Sequence, residues 1–277
     1  MFFKTFETIK YKVIRYIESN YKLNLLIYNN INLFKFFLPH EKDYYGIKLI
    51  SKNKKIHTIL DIGASLGISS MGFRKLGFKD KIYAFEPNYY LYKNYLKKNF
   101  TNDKNIILKN IALGNVNRTK TIYMPYHNSS CIHYFCSFDK KYLLNSIQIT
   151  FPNLFTNLKI KERKIICRRF DDLNLNIKPN FIKIDTEGYD EFVLKGMIKT
   201  IKKYKPILLL EYNKEYYKNV KFILKDYIPY VYNFKTDKMI KLYKRINQTN
   251  ISRTNKKNYL SIRNIYFIHK DIEKVIC

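Results

Sequence analysis

The stretch IHTILDIGASLG, Ile56 to Gly67, decides the fold. It begins as an apolar run of strand length, reaches the acid Asp61, and enters a turn bounded by Gly63 and Gly67. A strand that stops in such a turn and leads into helix-length sequence opens a βαβ unit. Gly63 permits the tight turn, and Gly67 lets backbone approach a ligand at a helix N-terminus. The turn therefore predicts a nucleotide-type ligand. It reads G-A-S-L-G rather than the G-x-G-x-x-G that approaches a pyrophosphate, which argues against a hydride-transferring enzyme. Asp61, directly before the turn, suits a ligand that carries positive charge.

Outward from this stretch, short apolar runs alternate with helix-length segments. Strands are predicted at IHTILDI, KIYAFE, NIILKN, FIKIDT and PILLLEY, with helices around Ser69–Leu76, Tyr89–Lys98 and Asp190–Thr200. The alternation implies right-handed crossovers in a doubly wound, mostly parallel α/β sheet. After Glu211 the sequence predicts a helix, a hairpin around VYNFKTDKMIKLY, a Lys/Asn-rich loop near residues 246–258 and a last strand, NIYFIHK. Residues 1–55 read as an amphipathic helical lead-in, with Ile9, Val13, Ile14 and Ile17 spaced by threes and fours. Residues 56–277 then form the main domain, with an insert at about 115–180 that carries the strand-like pieces TKTIYMPY and ERKIICRRF. Loops on the carboxyl side of such a sheet shape ligand pockets, so substrate choice is assigned to this insert.

Composition bounds the remaining possibilities. The chain has 277 residues, 46% of them hydrophobic, which is enough for one well-buried core and argues against general disorder. Its net charge of +30 raises the question of a polyanionic partner. The lysines are spread along the chain rather than gathered into one stripe, as a Lys/Asn/Ile-rich compositional bias would leave them. Four cysteines without framework spacing fit free thiols in a reducing compartment. Lysines and glutamates interrupt the N-terminal apolar runs, which do not read as a signal peptide. Leu23–Leu38 holds asparagines and a lysine and does not make a membrane span of about 20 apolar residues. The expectation is a cytoplasmic, soluble protein.

The chemistry-bearing residues gather at the predicted strand ends. The chain has three alanines, at 64, 84 and 112, and each falls at a strand end or just beyond. Glu86, in YAFEP, lies 25 residues after Asp61, where an acid can accept hydrogen bonds from both ribose hydroxyls of a nucleotide ligand. The fourth strand ends in KIDTEGYDEFVLKGM, Lys183 to Met197. This block resembles the signature of FkbM-type methyltransferases, in which an I-D-x-E-G strand end runs into a helix finishing V-L-K-G. DIGASLGISS, AFEP, NIALGN and LLLEYN resemble that family's other blocks, in the same order, over residues 56–213.

The resemblance implies a seven-stranded class I, Rossmann-like fold and an S-adenosyl-L-methionine cofactor, with a small molecule or glycan as hydroxyl acceptor. By position it places Asp61, Gly63, Ala64 and Gly67 at the methionine end, Glu86 at the ribose and Ala112 beside the adenine, with Asn110 or Ile111 nearby. It also places Asp185 and Glu187 at the transferred methyl. Either acid could act as general base or hold the acceptor hydroxyl, with Glu211 as a third candidate. Glu187 has a second reading, as a cap of the following helix.

Two other functions stay open. The charge and the aromatic content favour an RNA-methylating enzyme, although the fourth strand lacks the N/D-P-P-Y end of many base-methylating enzymes. A non-catalytic binding protein is opposed by the acids at 61, 86 and 185. In the insert, HNSSCIHYFC offers His127, Cys131, His133 and Cys136 as possible zinc ligands. Four ligands within ten residues strain a tetrahedron, so no metal is expected.

Overall fold

The computed structural model describes Lys10, Val13, Tyr16, Leu23 and residues 38–127, 130–213, 217–242 and 263–276. Ile9, Ile14 and Ile17 of the expected lead-in helix and the loop at 246–258 lie outside the described residues; Val13 is helical.

The predicted strands form β1 (Thr58–Ile62), β2 (Lys81–Phe85), β3 (Ile106–Lys109), β8 (Phe181–Ile184), β9 (Ile207–Glu211) and β12 (Asn264–His269). With the hairpin β10 (Tyr227–Asn233) and β11 (Lys238–Lys241) they make one sheet, ordered β11-β10-β12-β9-β8-β1-β2-β3. The pairs from β9 across to β3 are parallel, and β12 runs antiparallel between β9 and β10. The resemblance implied seven strands; the sheet has eight, because both strands of the predicted hairpin join its edge, with β11 outermost. The central strands are apolar and buried on both faces, as a sheet covered by helices on each side requires.

Helices α1 (Tyr45–Ile50) and α2 (Ile68–Lys75) lie on the cluster that contains Tyr44, Ile47, Phe73 and Tyr266. The short segment before β1 is thus packed into the core. Tyr44 stacks on Phe73 with ring centroids 5.2 Å apart. The single helix predicted over Asp190–Thr200 is instead two, α4 (Asp190–Gly196) and α5 (Ile198–Tyr204), separated at Met197, whose φ of −129° is not helical.

The insert does not extend the main sheet. β4 (Ala112–Leu113), β5 (Arg118–His127), β6 (Ser130–Cys131) and β7 (Leu158–Arg168) form a second sheet, ordered β4-β7-β5-β6. Helix α3 (Lys140–Thr150) buries Leu143 and Ile147 beside Tyr123, Leu158 and Ile160 of β5 and β7. Among the described residues no helix is long and apolar enough to cross a membrane.

Candidate functional site

Strand order reverses between β1 and β8, and their carboxyl ends open on a cavity of about 260 Å³. Ligands of open α/β sheets bind at such a switch point. Gly63 and Ala64 leave β1 by donating backbone N–H groups to the Phe85 carbonyl at 3.1 and 3.0 Å. Gly63 has φ +80°, and a Cβ there would sit 1.8 Å from the Asp185 carbonyl oxygen. Only glycine lets the turn pass this close to the end of β8.

Of the expected site residues, Gly63, Ala64, Glu86, Ala112, Asp185 and Glu187 line this cavity, as does Glu211. Two others do not. Gly67 lies behind the turn with φ +86°, where a Cβ would strike Phe100 at 2.5 Å; it is small to admit that ring rather than a ligand. Asp61 is fully buried beneath the turn. Its Oδ2 accepts hydrogen bonds from the Ser69 and Ser70 hydroxyls, both at 2.5 Å, and Lys183 Nζ stands 3.6 Å from its Oδ1. The carboxylate fastens β1 to α2 and β8 instead of facing the cavity. Asn110, an alternative neighbour of the ligand, donates to the carbonyls of Glu86 and Pro87 at 2.8 and 3.1 Å and so fixes the turn after β2.

Glu86 has both oxygens oriented by backbone. Ser65 N–H donates to Oε2 at 2.8 Å and Asn88 N–H to Oε1 at 2.7 Å. Burial pushes its carboxyl up to about 7, only partly offset by these two amides.

Lys183, buried within β8, reaches Asp185 Oδ2 at 3.2 Å as well as Asp61. Burial alone would lower its ammonium, but the carboxylates of Asp185 and Asp61 outweigh that and hold it above its ordinary value. Beyond Asp185, Glu187 has φ +51°, and its carbonyl accepts from Ser137 Oγ at 2.6 Å. Glu187 does not cap the next helix. The N-cap position is Tyr189, without a side-chain cap, and Asp190 in the first turn ties the helix back to the end of β8, accepting from the Thr186 N–H at 2.8 Å and the Thr186 hydroxyl at 2.5 Å. Burial, then the nearby Asp185, raise the Asp190 carboxyl to about 6.

The sequence matches the methyltransferase FkbM domain over residues 61–262. The chain belongs to the FkbM methyltransferase family. Among solved structures it is similar to methyltransferase FkbM from Methylobacillus flagellatus KT, at 18% identity and a TM-score of 0.42. That likeness covers 94% of this chain and 58% of the other, so the chain spans little more than half the length of that protein. It is also similar to precorrin-6y C5,15-methyltransferase from Geobacter metallireducens GS-15, at 12% identity and a TM-score of 0.36, over 80% and 85% of the two chains. No curated protein matches it.

Four residues that sequence reasoning missed stand on the cavity wall outside the span matched to the FkbM domain: His40, Glu41, Arg263 and Asn264. Asn264 donates to Glu41 Oε2 at 2.6 Å, and Arg263 Nη1 lies 3.6 Å from Glu41 Oε1. Beneath them Asp43 accepts from the Asn264 N–H at 3.0 Å; burial, then Glu41, push its carboxyl up to about 7. Arg263 and Asn264 reach the cavity because β12 is antiparallel. A strand running against its neighbours begins at the edge where they end, which puts Asn264 opposite Glu211 in the register. The insert supplies His133, Cys136, Ser137 and Phe138 to the same cavity. Burial lowers the His133 imidazole to about 4, so it is neutral there.

Proposed function

We propose that this FkbM-family methyltransferase uses S-adenosyl-L-methionine to O-methylate a hydroxyl of a sugar, glycan or other small molecule. The observation that carries the reading is a single cavity that joins the Gly63–Ser65 turn and Glu86 to the acids Asp185 and Glu187. A donor turn and an acceptor-side acid must share one space for in-line displacement, and their alignment can supply much of the acceleration.

The residues present fit the donor. Gly63 and Ala64 offer backbone at the turn, Glu86 offers carboxylate oxygens for a ribose diol, and Ile111 and Ala112 offer an apolar wall for a purine. When bound, S-adenosyl-L-methionine supplies a methyl group made electrophilic by its sulfonium. Asp185 or Glu187 accepts the proton of the acceptor hydroxyl or holds that hydroxyl in line, and Glu211 is the third candidate. Lys183 and Asp61 act as positioning residues, tying Asp185 to the strand that carries the donor turn.

The division into a segment before residue 56, a transferase domain over 56–277 and an acceptor-side insert at 115–180 belongs to this proposal. The first segment also adds His40 and Glu41 to the wall. A neutral acceptor is favoured over RNA by the lining charge. Glu41, Glu86, Asp185, Glu187 and Glu211 face the cavity against Lys183 and Arg263, an acidic pocket in a chain of net charge +30. Such a pocket repels phosphate.

A labelled-methyl transfer screen over sugars, lipids and RNA tests the reading. The expected result is label in a hydroxyl-bearing small molecule or glycan. Label entering RNA alone, with uptake that falls steeply with salt, would replace it with the RNA reading.

A further inference from the structure

The motif HNSSCIHYFC lends residues to the cavity wall but no group to the methyl-transfer step proposed above, and among the described residues no three His, Cys, Asp or Glu side chains are grouped to hold a metal. What the fold does bring together is the thiol pair. Cys131 and Cys136 are both free, with Sγ atoms 4.0 Å apart. Both ends of this short segment are fastened to β5. Cys131 pairs with Tyr126, while Tyr123 and Ser137 exchange backbone hydrogen bonds at 2.8 and 3.1 Å. The turn His133–Phe135 folds the chain back between them. We propose that Cys131 and Cys136 form a modification site, a dithiol oxidised reversibly to an intramolecular disulfide by a small-molecule disulfide, and that the bond shifts the cavity wall.

The two thiols differ in the way the chemistry needs. Both are partly exposed, but the Cys131 thiol is lowered by its contact with Cys136, against the effect of burial, and further by the Tyr126 hydroxyl and the Lys161 ammonium. Cys136 is raised by that same contact and by burial, with Glu86 and Glu187 adding negative charge on the cavity side. Cys131 thiolate attacks the external disulfide, forming a mixed disulfide and releasing one thiolate. The Cys136 thiol then loses its proton and attacks the Cys131 sulfur, expelling the second thiolate. Two protein thiols are oxidised, and one disulfide is reduced to two thiols. The sulfurs must close by about 2 Å to reach bonding distance. Cys136 lines the cavity, and the next residue, Ser137, holds the Glu187 carbonyl, so the movement is transmitted to the acceptor side.

The test treats the full chain, carrying Cys277→Ser, with oxidised glutathione. The protein is expected to lose two hydrogen masses, to yield a peptide linked through Cys131 and Cys136, and to revert with dithiothreitol. Cys131→Ser and Cys136→Ser should each fail to form the link. Amide exchange at Tyr123 and Ser137 should change about five-fold between the two forms, and S-adenosyl-L-methionine affinity should fall about five-fold. This last readout rests on the function proposed above. If the disulfide forms and exchange changes while the reduced protein binds no S-adenosyl-L-methionine, the donor reading fails and the dithiol site stands. A pair that stays reduced in oxidised glutathione overturns the proposal, as does a disulfide that leaves both exchange rates unchanged.

Discussion

In the main sheet, β8 buries all four of its residues and β9 four of five, whereas β7 of the insert sheet buries two of eleven. The two regions wall the same cavity, yet they encode it differently. A parallel strand covered on both faces must be apolar throughout, so a lysine within it, such as Lys183, or an acid at its end, such as Asp185, has few reasons to be there besides a specific partner or a ligand. A strand with one wet face tolerates charge at every second position. Glu162 and Lys164 of β7, on the face opposite the buried Ile165 and Cys167, are exposed, and nothing in the sequence separates them from any other wet residue.

The contrast can be broken most forcefully at Gly63. Gly63→Ala places a Cβ 1.8 Å from the Asp185 carbonyl in a left-handed backbone, and should cost about 3 kcal/mol or more. Urea unfolding would register it as a large drop in midpoint. Lys183→Met, which strands the fully buried Asp61 carboxylate, should cost a similar ~3–5 kcal/mol. Adding Asp61→Asn should recover part of that loss, because the uncompensated charge is then gone; simple additivity of the two changes would argue against the pairing.

Glu86 gives a prediction with a sign. Its folded value of about 7 lies above an ordinary carboxylate's, about 4.3, so the unfolded state gives up its proton first as pH rises. Stability from this group is fully present below about pH 4 and is lost as pH climbs through 7. Glu86→Gln should therefore gain on the wild type at pH 8, by on the order of a few kcal/mol, and show no such gain at pH 4. Thermal melts at the two pH values check it. In the insert, Ile166→Thr on the wet face of β7, 54% exposed, should change stability by no more than about 0.5 kcal/mol. A large effect there would show that this face is covered.

The legibility of the site follows the same division. IHTILDIGASLG and KIDTEGYDEFVLKGM were readable because strand, turn and close approach each restrict residue type, and their ends converge at the β1/β8 reversal. Asp61 and Gly67 were conspicuous for the same reason but serve the scaffold, Asp61 through Ser69, Ser70 and Lys183, and Gly67 by admitting Phe100. His40, Glu41, Arg263 and Asn264 were not legible, since local pattern does not say that β12 runs antiparallel and starts at the cavity edge. The insert's strands could be read, but not their pairing into a separate sheet, because alternation on β5 and β7 leaves the partner unspecified.

The central claim is that the cavity at the β1/β8 reversal binds S-adenosyl-L-methionine through Glu86. Titration calorimetry on the wild type and on Glu86→Ala tests it most directly. One donor should bind per wild-type chain, and Glu86→Ala should bind at least about ten-fold more weakly, ~1.4 kcal/mol. A folded wild type that takes up no donor, or a Glu86→Ala variant that binds as tightly, would contradict the account.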